Sequence, residues 1–116
     1  MVVTAVLSAA LVCFGGECYP ALFGRETPTG VFQLRHYAVD DPRYGGDALI
    51  FDETSSTYLA VHRVLDIPGE RRRQLLKSDW PKLRRFVTHG GCINLDPAVY
   101  AKLVDCCSNY TLRIEP

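Results

Sequence analysis

The stretch Thr88-His89-Gly90-Gly91-Cys92-Ile93-Asn94-Leu95 places a cysteine after two glycines and a histidine, just before Asp96-Pro97. Aspartate at an N-cap, followed by proline at the first helical position, predicts that a helix begins there. Glycines let the backbone bend until its N–H groups converge, as an oxyanion hole requires. A nearby imidazole and a helix N-terminus both favour thiolate, which is the nucleophilic form of cysteine. These residues predict that Cys92 is a nucleophile.

Most of the remaining chain has the pattern of short strands. The apolar runs Val2–Phe14 and Glu17–Phe23 are joined by Gly15-Gly16, which predicts a β-hairpin. Alternation of apolar and polar residues, and further apolar runs between turn residues, predict strands elsewhere. These strands are expected at Val31–Tyr37, Asp47–Asp52, Thr57–Val64 and Tyr110–Ile114.

Helices are expected only in the second half of the chain. In the helix after Asp96, the side chains of Val99, Leu103 and Cys106 recur at i, i+4 and i+7, which predicts one buried face. Pro68-Gly69-Glu70 is expected to open a short helical stretch that reaches about Lys77, and Pro81–Phe86 to add a turn. The whole pattern predicts a mainly β, antiparallel domain with one dependable helix.

Length and composition limit the possible classes of protein. The 116 residues, with a mass of 13.0 kDa, are expected to form one domain, because they are too few for two cores. Since 47% of them are hydrophobic and 22% charged, general disorder is excluded. Thirteen basic residues balance thirteen acidic ones, so no net charge draws the chain to nucleic acid or to a membrane.

The sequence contains no apolar run of 18 residues, so no membrane span is predicted. The apolar start from Met1 to Cys13 lacks the basic residues of an export signal and is expected to be a first strand. Because no export signal is visible, the export route stays open.

Basic residues are concentrated in one segment of about 66–86, which we call the basic flap. Eight basic residues lie between Arg63 and Arg85, against three acidic ones. A solvated helical face with partners such as Glu70 is one interpretation, and a flap over an anionic substrate is another. RNA binding is a weaker third, since the charges are not regularly interleaved with aromatic side chains.

The five cysteines allow two interpretations. In an exported protein we expect a disulfide among Cys13, Cys18, Cys106 and Cys107, with Cys92 left unpaired. In a reducing compartment the same four cysteines would serve as small core residues. A metal site is disfavoured because the sequence has no Cys-x-x-Cys or His-x-x-x-His spacing.

Three motifs together resemble one known family. Thr88–Leu95 is similar to the Ser/Thr-x-Gly-Cys-Ile-Asn signature of the L,D-transpeptidases, or YkuD-type domains. Thr27–Phe32 resembles the Thr-Pro-Thr-Gly-x-Phe segment of that family, and Leu59–His62 resembles the strand that ends in its catalytic histidine. The motifs occur in the family's order and span nearly the whole chain.

The resemblance implies a YkuD-type β-sandwich or barrel-like fold and a cysteine acyltransferase. Cys92 would attack a peptidoglycan stem tetrapeptide, expel its terminal D-alanine and pass the acyl group to an amine or to water. His62 would be the base, and the backbone of Gly91 and Cys92 would form the oxyanion hole. The surrounding positions expected to support the loop or position substrate are Thr88, His89, Gly90 and Asn94.

Two departures from the family pattern affect this expectation. The family has one glycine between histidine and cysteine, whereas this chain has Gly90 and Gly91, so either one glycine is inserted or His89 takes the Ser/Thr position. His62 also precedes Cys92 by 30 positions, with the basic flap between them. His36, on a different strand, is expected to be structural.

The resemblance leaves three functions open: an L,D-transpeptidase, an L,D-carboxypeptidase or secreted antibacterial effector of the same chemistry, and a non-catalytic module that binds the cell wall. It implies stem peptides as partners, a carbapenem adduct on the cysteine, no cofactor and a location in the periplasm or cell envelope. Nucleic acid is not expected as a partner, and the oligomeric state stays open.

Overall fold

Short strands make up most of the described chain. The computed structural model describes residues 1–65, 71–88 and 90–116, apart from the side chain of residue 43. Within these residues the strands are β1 (Val2–Val6), β2 (Leu11–Phe14), β3 (Glu17–Phe23), β4 (Gly30–Gln33), β5 (Arg35–Ala38), β6 (Asp47–Glu53), β7 (Tyr58–Arg63), β8 (Ile93–Leu95) and β9 (Thr111–Glu115).

These strands form one sheet in the order β4-β9-β1-β2-β3-β8-β7-β6-β5. β4 and β5 lie at its two ends, yet only Leu34 separates them along the chain. The sheet must therefore curl until its ends come close together, which gives the barrel-like shape predicted from the sequence. The predicted single strand Val31–Tyr37 is wrong, because the chain turns at buried Leu34 and pairs with a different neighbour on each side.

Among the described strands six pairs are antiparallel, so the predicted, mostly antiparallel fold is confirmed. Two pairs, β1 with β9 and β7 with β8, are parallel, which the sequence did not reveal. Parallel neighbours need a long crossover, which short turns cannot supply. The chain between β7 and β8 contains the basic flap, and most of the sequence separates β1 from β9. Long connections therefore account for both pairs.

The turn of the predicted N-terminal hairpin is confirmed, but its first strand is shorter than predicted. β2 and β3 pair across Gly15-Gly16, whose φ angles of 61° and 82° suit glycine. The run Val2–Phe14 is not one strand, however. It breaks after β1 into a turn that ends at Ala10, where φ is 51°, and β2 then folds back on β1.

The described residues form two α-helices, α1 (Arg72–Leu76) and α2 (Pro97–Cys107). The predicted start of α2 is confirmed, because the Asp96 carboxylate accepts a hydrogen bond of 2.9 Å from the N–H of Ala98. Its buried face is formed by Tyr100, Leu103 and Cys107, so the prediction that Cys106 is buried there is wrong. At both outer positions of this face the buried residue lies one place later in the sequence than predicted.

Part of the basic flap is fastened to the sheet. Pro68–Glu70, where the sequence predicts the helical stretch to begin, lies outside the described residues. In the described part, Leu76 of α1 packs with Leu22 and Val64. The turn predicted at Pro81–Phe86 is a 3₁₀ turn at Pro81–Arg84.

Four of the cysteines form disulfides. Cys13 pairs with Cys18 across the β2–β3 hairpin, and Cys106 pairs with its neighbour Cys107 at the end of α2. Cys92 is the free thiol, as expected for the exported form of the chain. No helix among the described residues is long and apolar enough to cross a membrane.

We predict that Leu112→Ala destabilises the fold by about 2–5 kcal/mol, because Leu112 is fully buried on β9 and its loss leaves a cavity. The measurement is urea unfolding with the disulfides kept intact. Arg113→Ala is the matched control, since Arg113 is the exposed next residue on the same strand and should change the unfolding free energy by less than about 0.5 kcal/mol. Equal losses in the two variants would contradict this assignment of the core.

Candidate functional site

The pairing of β7 with β8 brings His62 and Cys92 to one face of the sheet. The parallel register sets His62 opposite Asn94. Cys92 lies directly before β8, and its side chain lines the same cavity as those of His62 and Asn94. Three polar side chains thus converge from β7, from β8 and from the residue just before β8.

These side chains line a cavity of about 190 Å³. Five residues singled out from the sequence lie around it: His62, Thr88, Gly90, Cys92 and Asn94. Two more, Tyr44 and Arg72, were not identified from the sequence. Gly91 is buried directly before Cys92, and His89 lies outside the described residues.

His62 is buried, with 4% of its surface exposed, and its Nδ1 lies 3.2 Å from the carbonyl oxygen of Arg63. A carbonyl can only accept, so Nδ1 carries the proton of this hydrogen bond and Nε2 keeps a lone pair. Burial lowers the pKa of His62 to about 4, and the nearby charges of Arg72 and Arg63 add to this effect against the opposing Arg63 carbonyl and Asp41. At neutral pH the ring is therefore a neutral base.

The two glycines before Cys92 differ in their surroundings. A Cβ on Gly91 would lie 2.8 Å from the backbone oxygen of Glu26, whereas a Cβ on Gly90 would meet nothing within 4 Å. Gly91 is therefore the position at which the fold excludes a side chain. Gly90 has room for a side chain, as expected if it is the glycine inserted relative to the family pattern.

Thr27 fixes the glycine loop from the side. Its hydroxyl donates a hydrogen bond of 3.2 Å to the Gly91 carbonyl and accepts one of 3.0 Å from the N–H of Gly24. Gly24 packs so closely on the loop that a Cβ there would lie 1.8 Å from the Gly90 oxygen. The Thr27–Phe32 motif thus begins with a residue that supports the candidate site.

The backbone amides of Gly91 and Cys92 are available to a ligand. Within residues 1–65, 71–88 and 90–116, neither amide donates a hydrogen bond to another residue. Two adjacent N–H groups beside a thiol are the arrangement that stabilises an oxyanion. The role of this loop as an oxyanion hole stays a prediction.

Tyr44 bridges the histidine and the cysteine. Its ring packs edge-on against the ring of His62, with 4.5 Å between centroids, and its hydroxyl lies 4.0 Å from the Cys92 sulfur. The sequence does not reveal Tyr44 as a site residue, because it lies in the turn-rich Asp40–Gly46 connection, where no periodicity marks a buried face. An isolated aromatic residue in such a turn was the only available signal.

An ionic network holds the Tyr44 turn in place. Arg63 donates a hydrogen bond of 3.0 Å to the Tyr44 carbonyl and forms an ion pair with Asp47. Asp47 also accepts hydrogen bonds from Tyr100, at 3.1 Å, and from His36, at 2.6 Å. His36 thus has a structural contact away from the cavity, in agreement with its predicted role.

The same network keeps Asp47 ionised. Partial burial alone would raise the pKa of Asp47, but the hydrogen bonds from His36, Arg63 and Tyr100 outweigh it, and the pKa is lowered from its ordinary value. Burial raises the pKa of Tyr100, so its phenol stays protonated and can donate. At neutral pH the turn that carries Tyr44 is therefore held by the ion pair between Arg63 and Asp47.

Arg72 brings a positive charge from the flap to the cavity. It lies at the start of α1, and its guanidinium is 3.5 Å from the side-chain oxygen of Asn94. This position brings one charge of the flap to the cavity, and a flap over an anionic substrate stays a prediction. The sequence indicated the charge of the flap but not which arginine reaches the site.

A larger cleft of about 450 Å³ adjoins this cavity and shares Tyr44 with it. Asp41 and Glu53 give the cleft carboxylates, in contrast to the arginine of the first cavity. In the part of the chain that the structure describes, no three His, Cys, Asp or Glu side chains are grouped to hold a metal ion.

Comparison with solved structures finds the same fold in three bacterial proteins. Mycobacterium tuberculosis L,D-transpeptidase 1 matches 99% of this chain with a TM-score of 0.59 and 21% identity. The chain has the L,D-transpeptidase fold. The YkuD-type domain expected from the three motifs is thereby confirmed as a fold.

Bdellovibrio bacteriovorus Bd1075 matches this fold over 97% of the chain, with a TM-score of 0.60 and 17% identity. The helical cell shape determining protein Pgp2 from Campylobacter jejuni matches over 98%, with a TM-score of 0.58 and 16% identity. The chain spans about half the length of these structures: 58% of the transpeptidase and 46% of each of the other two. No protein-family model and no curated protein sequence matches it.

We predict that Gly91→Ala lowers the activity of the site by about 100-fold, because the new methyl group would push the Cys92 loop away from Glu26 by a few tenths of an ångström or more. Gly90→Ala is the control and should stay within about three-fold of the native rate. The measurement is the rate of Cys92 acylation by a carbapenem, followed by intact mass. A larger loss in Gly90→Ala than in Gly91→Ala would contradict this account of the two glycines.

Proposed function

We propose that this chain is a peptidoglycan L,D-transpeptidase that uses Cys92 as its nucleophile. The observation that carries the proposal is the convergence of a free thiol and a neutral, buried imidazole on one cavity, with Nδ1 of His62 engaged and Nε2 left to accept a proton. The motif resemblance and the shared fold support the same chemistry. The whole of residues 1–116 would form the catalytic domain.

In the first step the Cys92 sulfur attacks the carbonyl of the diamino acid in a stem tetrapeptide, and His62 Nε2 takes the thiol proton. The N–H groups of Gly91 and Cys92 stabilise the oxyanion of the tetrahedral intermediate. The C–N bond then breaks, and the leaving D-alanine takes the proton from His62. A thioester between Cys92 and the shortened stem remains.

In the second step the amine of another stem attacks the thioester carbonyl. His62 accepts the amine proton and returns a proton to the Cys92 sulfur as the C–S bond breaks. Both steps use one base that must begin neutral, and the pKa of about 4 for His62 meets that need. The product is a crosslinked pair of stems.

The charges around Cys92 suit such substrates. Arg72 places a cation where it can attract a carboxylate of the donor stem, since Arg and carboxylate form strong paired hydrogen bonds. The adjoining cleft, with Asp41 and Glu53, offers negative charge to an acceptor amine. A distinct place for an amine favours transfer over hydrolysis. We place this activity in the periplasm or cell envelope, where stem peptides occur.

Two other functions use the same fold. An L,D-carboxypeptidase, or a secreted antibacterial effector of that chemistry, would pass the thioester to water and release a tripeptide. A non-catalytic module would hold cell-wall peptide without forming a thioester. The free thiol beside a neutral imidazole favours an enzyme over the binding module.

Incubation with a disaccharide-tetrapeptide separates these functions. We expect a crosslinked dimer and free D-alanine, measured by mass spectrometry, and at least about a thousand-fold loss of both in Cys92→Ser. A carbapenem should add its mass to the native protein and not to that variant.

Each other outcome points to a different function. Tripeptide without dimer would favour the carboxypeptidase, and unchanged substrate with an intact thiol would favour the binding module. Circular dichroism of Cys92→Ser checks that the variant keeps its fold. A carbapenem adduct that persists in this variant would place the nucleophile elsewhere.

The pH dependence of the rate follows from the burial of His62. A histidine of ordinary pKa, about 6.5, would lose its basic form below that value. Because burial lowers the pKa of His62 to about 4, we expect the rate to hold down to about pH 5 and to fall as the pH drops through 4. The measurement is kcat/KM for D-alanine release between pH 3.5 and 8.

His62→Ala should lower that rate by about 10²–10⁴-fold and remove the acidic limb, which is the fall in rate as the pH drops through 4. The variant should keep its fold, and its thermal unfolding in the same buffers checks this. An acidic limb that persists in His62→Ala would show that another group titrates.

A further inference from the structure

Three large apolar side chains are exposed close together in the basic flap. Trp80 is 68% exposed, Leu83 53% and Phe86 56%, all within seven consecutive residues. We call these three residues the flap tip. Elsewhere in the described chain, large exposed apolar residues are Met1, Val2, Val31 and Tyr37. The flap tip is thus the place where the chain concentrates bulky apolar surface in contact with solvent, as binding surfaces do.

The fold holds the flap tip firmly on the body. Arg84, in the middle of this segment, is only 4% exposed, and its guanidinium donates hydrogen bonds to the carbonyl oxygens of Ala9, Ala10 and Ser78. In the 3₁₀ turn the N–H of Leu83 bonds to the Trp80 carbonyl at 3.0 Å, and three residues per turn set these two side chains on one side. Arg84 points into the protein, whereas Trp80 and Leu83 face the solvent.

The backbone at Phe86 is strained without any gain from burial. Its φ angle is 57°, in the left-handed region that bulky residues rarely adopt. In a protein core such strain is offset by packing, yet the Phe86 ring remains largely in solvent. Strained residues persist where a function keeps them. The exposed ring at Phe86 therefore points to a partner that covers it.

Positive charge surrounds the flap tip. Residues 71–88 hold seven basic residues and one acidic residue, Asp79, although the chain as a whole is neutral. Lys77 and Lys82 are exposed on either side of Trp80, and the Arg85 guanidinium lies 5.0 Å from the centre of the Phe86 ring. The partner must combine an apolar interior with negative surface charge.

We propose that the flap tip docks this protein on the surface of a lipid bilayer that carries anionic headgroups. Trp80, Leu83 and Phe86 enter the boundary between headgroups and acyl chains, as interfacial Trp, Leu and Phe side chains do. Lys77, Lys82 and Arg85 contact the headgroup phosphates. The local charge of the flap attracts the membrane even though the whole chain has no net charge.

A second copy of the chain is the less suitable occupant. A two-fold interface would place the same surface on both sides, so the cations of one flap would face the cations of the other. Within residues 71–88, Asp79 supplies the one carboxylate that could balance them. An anionic membrane balances the charge and buries the apolar side chains together.

Docking would bring the candidate site to the membrane. Thr88, which lines the Cys92 cavity, follows Phe86 by two residues, and Arg72 reaches the same cavity from the start of the flap. The connection between β7 and β8 thus carries the docking surface and also contributes residues to the cavity. The docking proposal does not depend on the reaction, because binding can be measured without turnover.

Trp80 provides the probe, since it is the only tryptophan in the chain. The oxidised, full-length protein is titrated with vesicles of one part phosphatidylglycerol to two parts phosphatidylcholine, and with vesicles of phosphatidylcholine alone. We expect a blue shift of Trp80 emission and quenching by brominated acyl chains with the anionic vesicles. Neutral vesicles should give at least about ten-fold weaker binding.

Two sets of variants test which residues bind. Lys77→Gln with Lys82→Gln should weaken binding to anionic vesicles by about 25-fold, because each basic residue near such a surface contributes about five-fold. Leu83→Ser with Phe86→Ser should abolish the quenching by brominated chains. Val31→Ser is the matched control, because Val31 is 65% exposed on β4, outside the flap, and its loss should change nothing.

Three results would overturn the proposal. One is the absence of any blue shift with anionic vesicles. Another is equal binding by the native protein and the Leu83→Ser/Phe86→Ser variant in a co-sedimentation assay. The third is a blue shift that grows with protein concentration in the absence of lipid, which would assign the flap tip to a second copy of the chain.

Discussion

The parallel pairing of β7 with β8 is the constraint on which the candidate site depends. It sets His62 opposite Asn94 and so brings the imidazole to the face where Cys92 leaves the glycine loop. A parallel pair requires a long crossover, and the chain uses that crossover as the basic flap. The strand register, the position of the base and the charge above the cavity therefore have a common origin.

The surroundings of two polar side chains, His62 and Asp47, then set their charge states. His62 is neutral because burial disfavours its charged form, while Asp47 stays ionised because three donors reach it. The ion pair of Asp47 with Arg63 holds the turn that carries Tyr44, whose ring packs against His62. A charged network at the back of the site thus supports a neutral base at its front.

The sequence predicted the local features better than the long-range ones. The Gly15-Gly16 turn, the N-cap at Asp96 and the glycine loop before Cys92 follow from short-range rules, and the structure contains each of them. The split at Leu34 and the parallel pairs were missed, because strand partners depend on contacts between distant residues. Tyr44 was missed for the same reason, since only tertiary packing brings its turn to the site.

The proposed function requires that Cys92 forms a thioester with the donor peptide. The most direct test uses a stem tetrapeptide whose side-chain amine is acetylated, so that the peptide cannot serve as acceptor. It is mixed with the protein, the reaction is quenched with acid within a fraction of a second, and the modified residue is mapped by mass spectrometry. We expect a tripeptidyl group on the peptide that contains Cys92, with one D-alanine released for each group attached. D-alanine release with Cys92 unmodified, or a group attached to another residue, would contradict it.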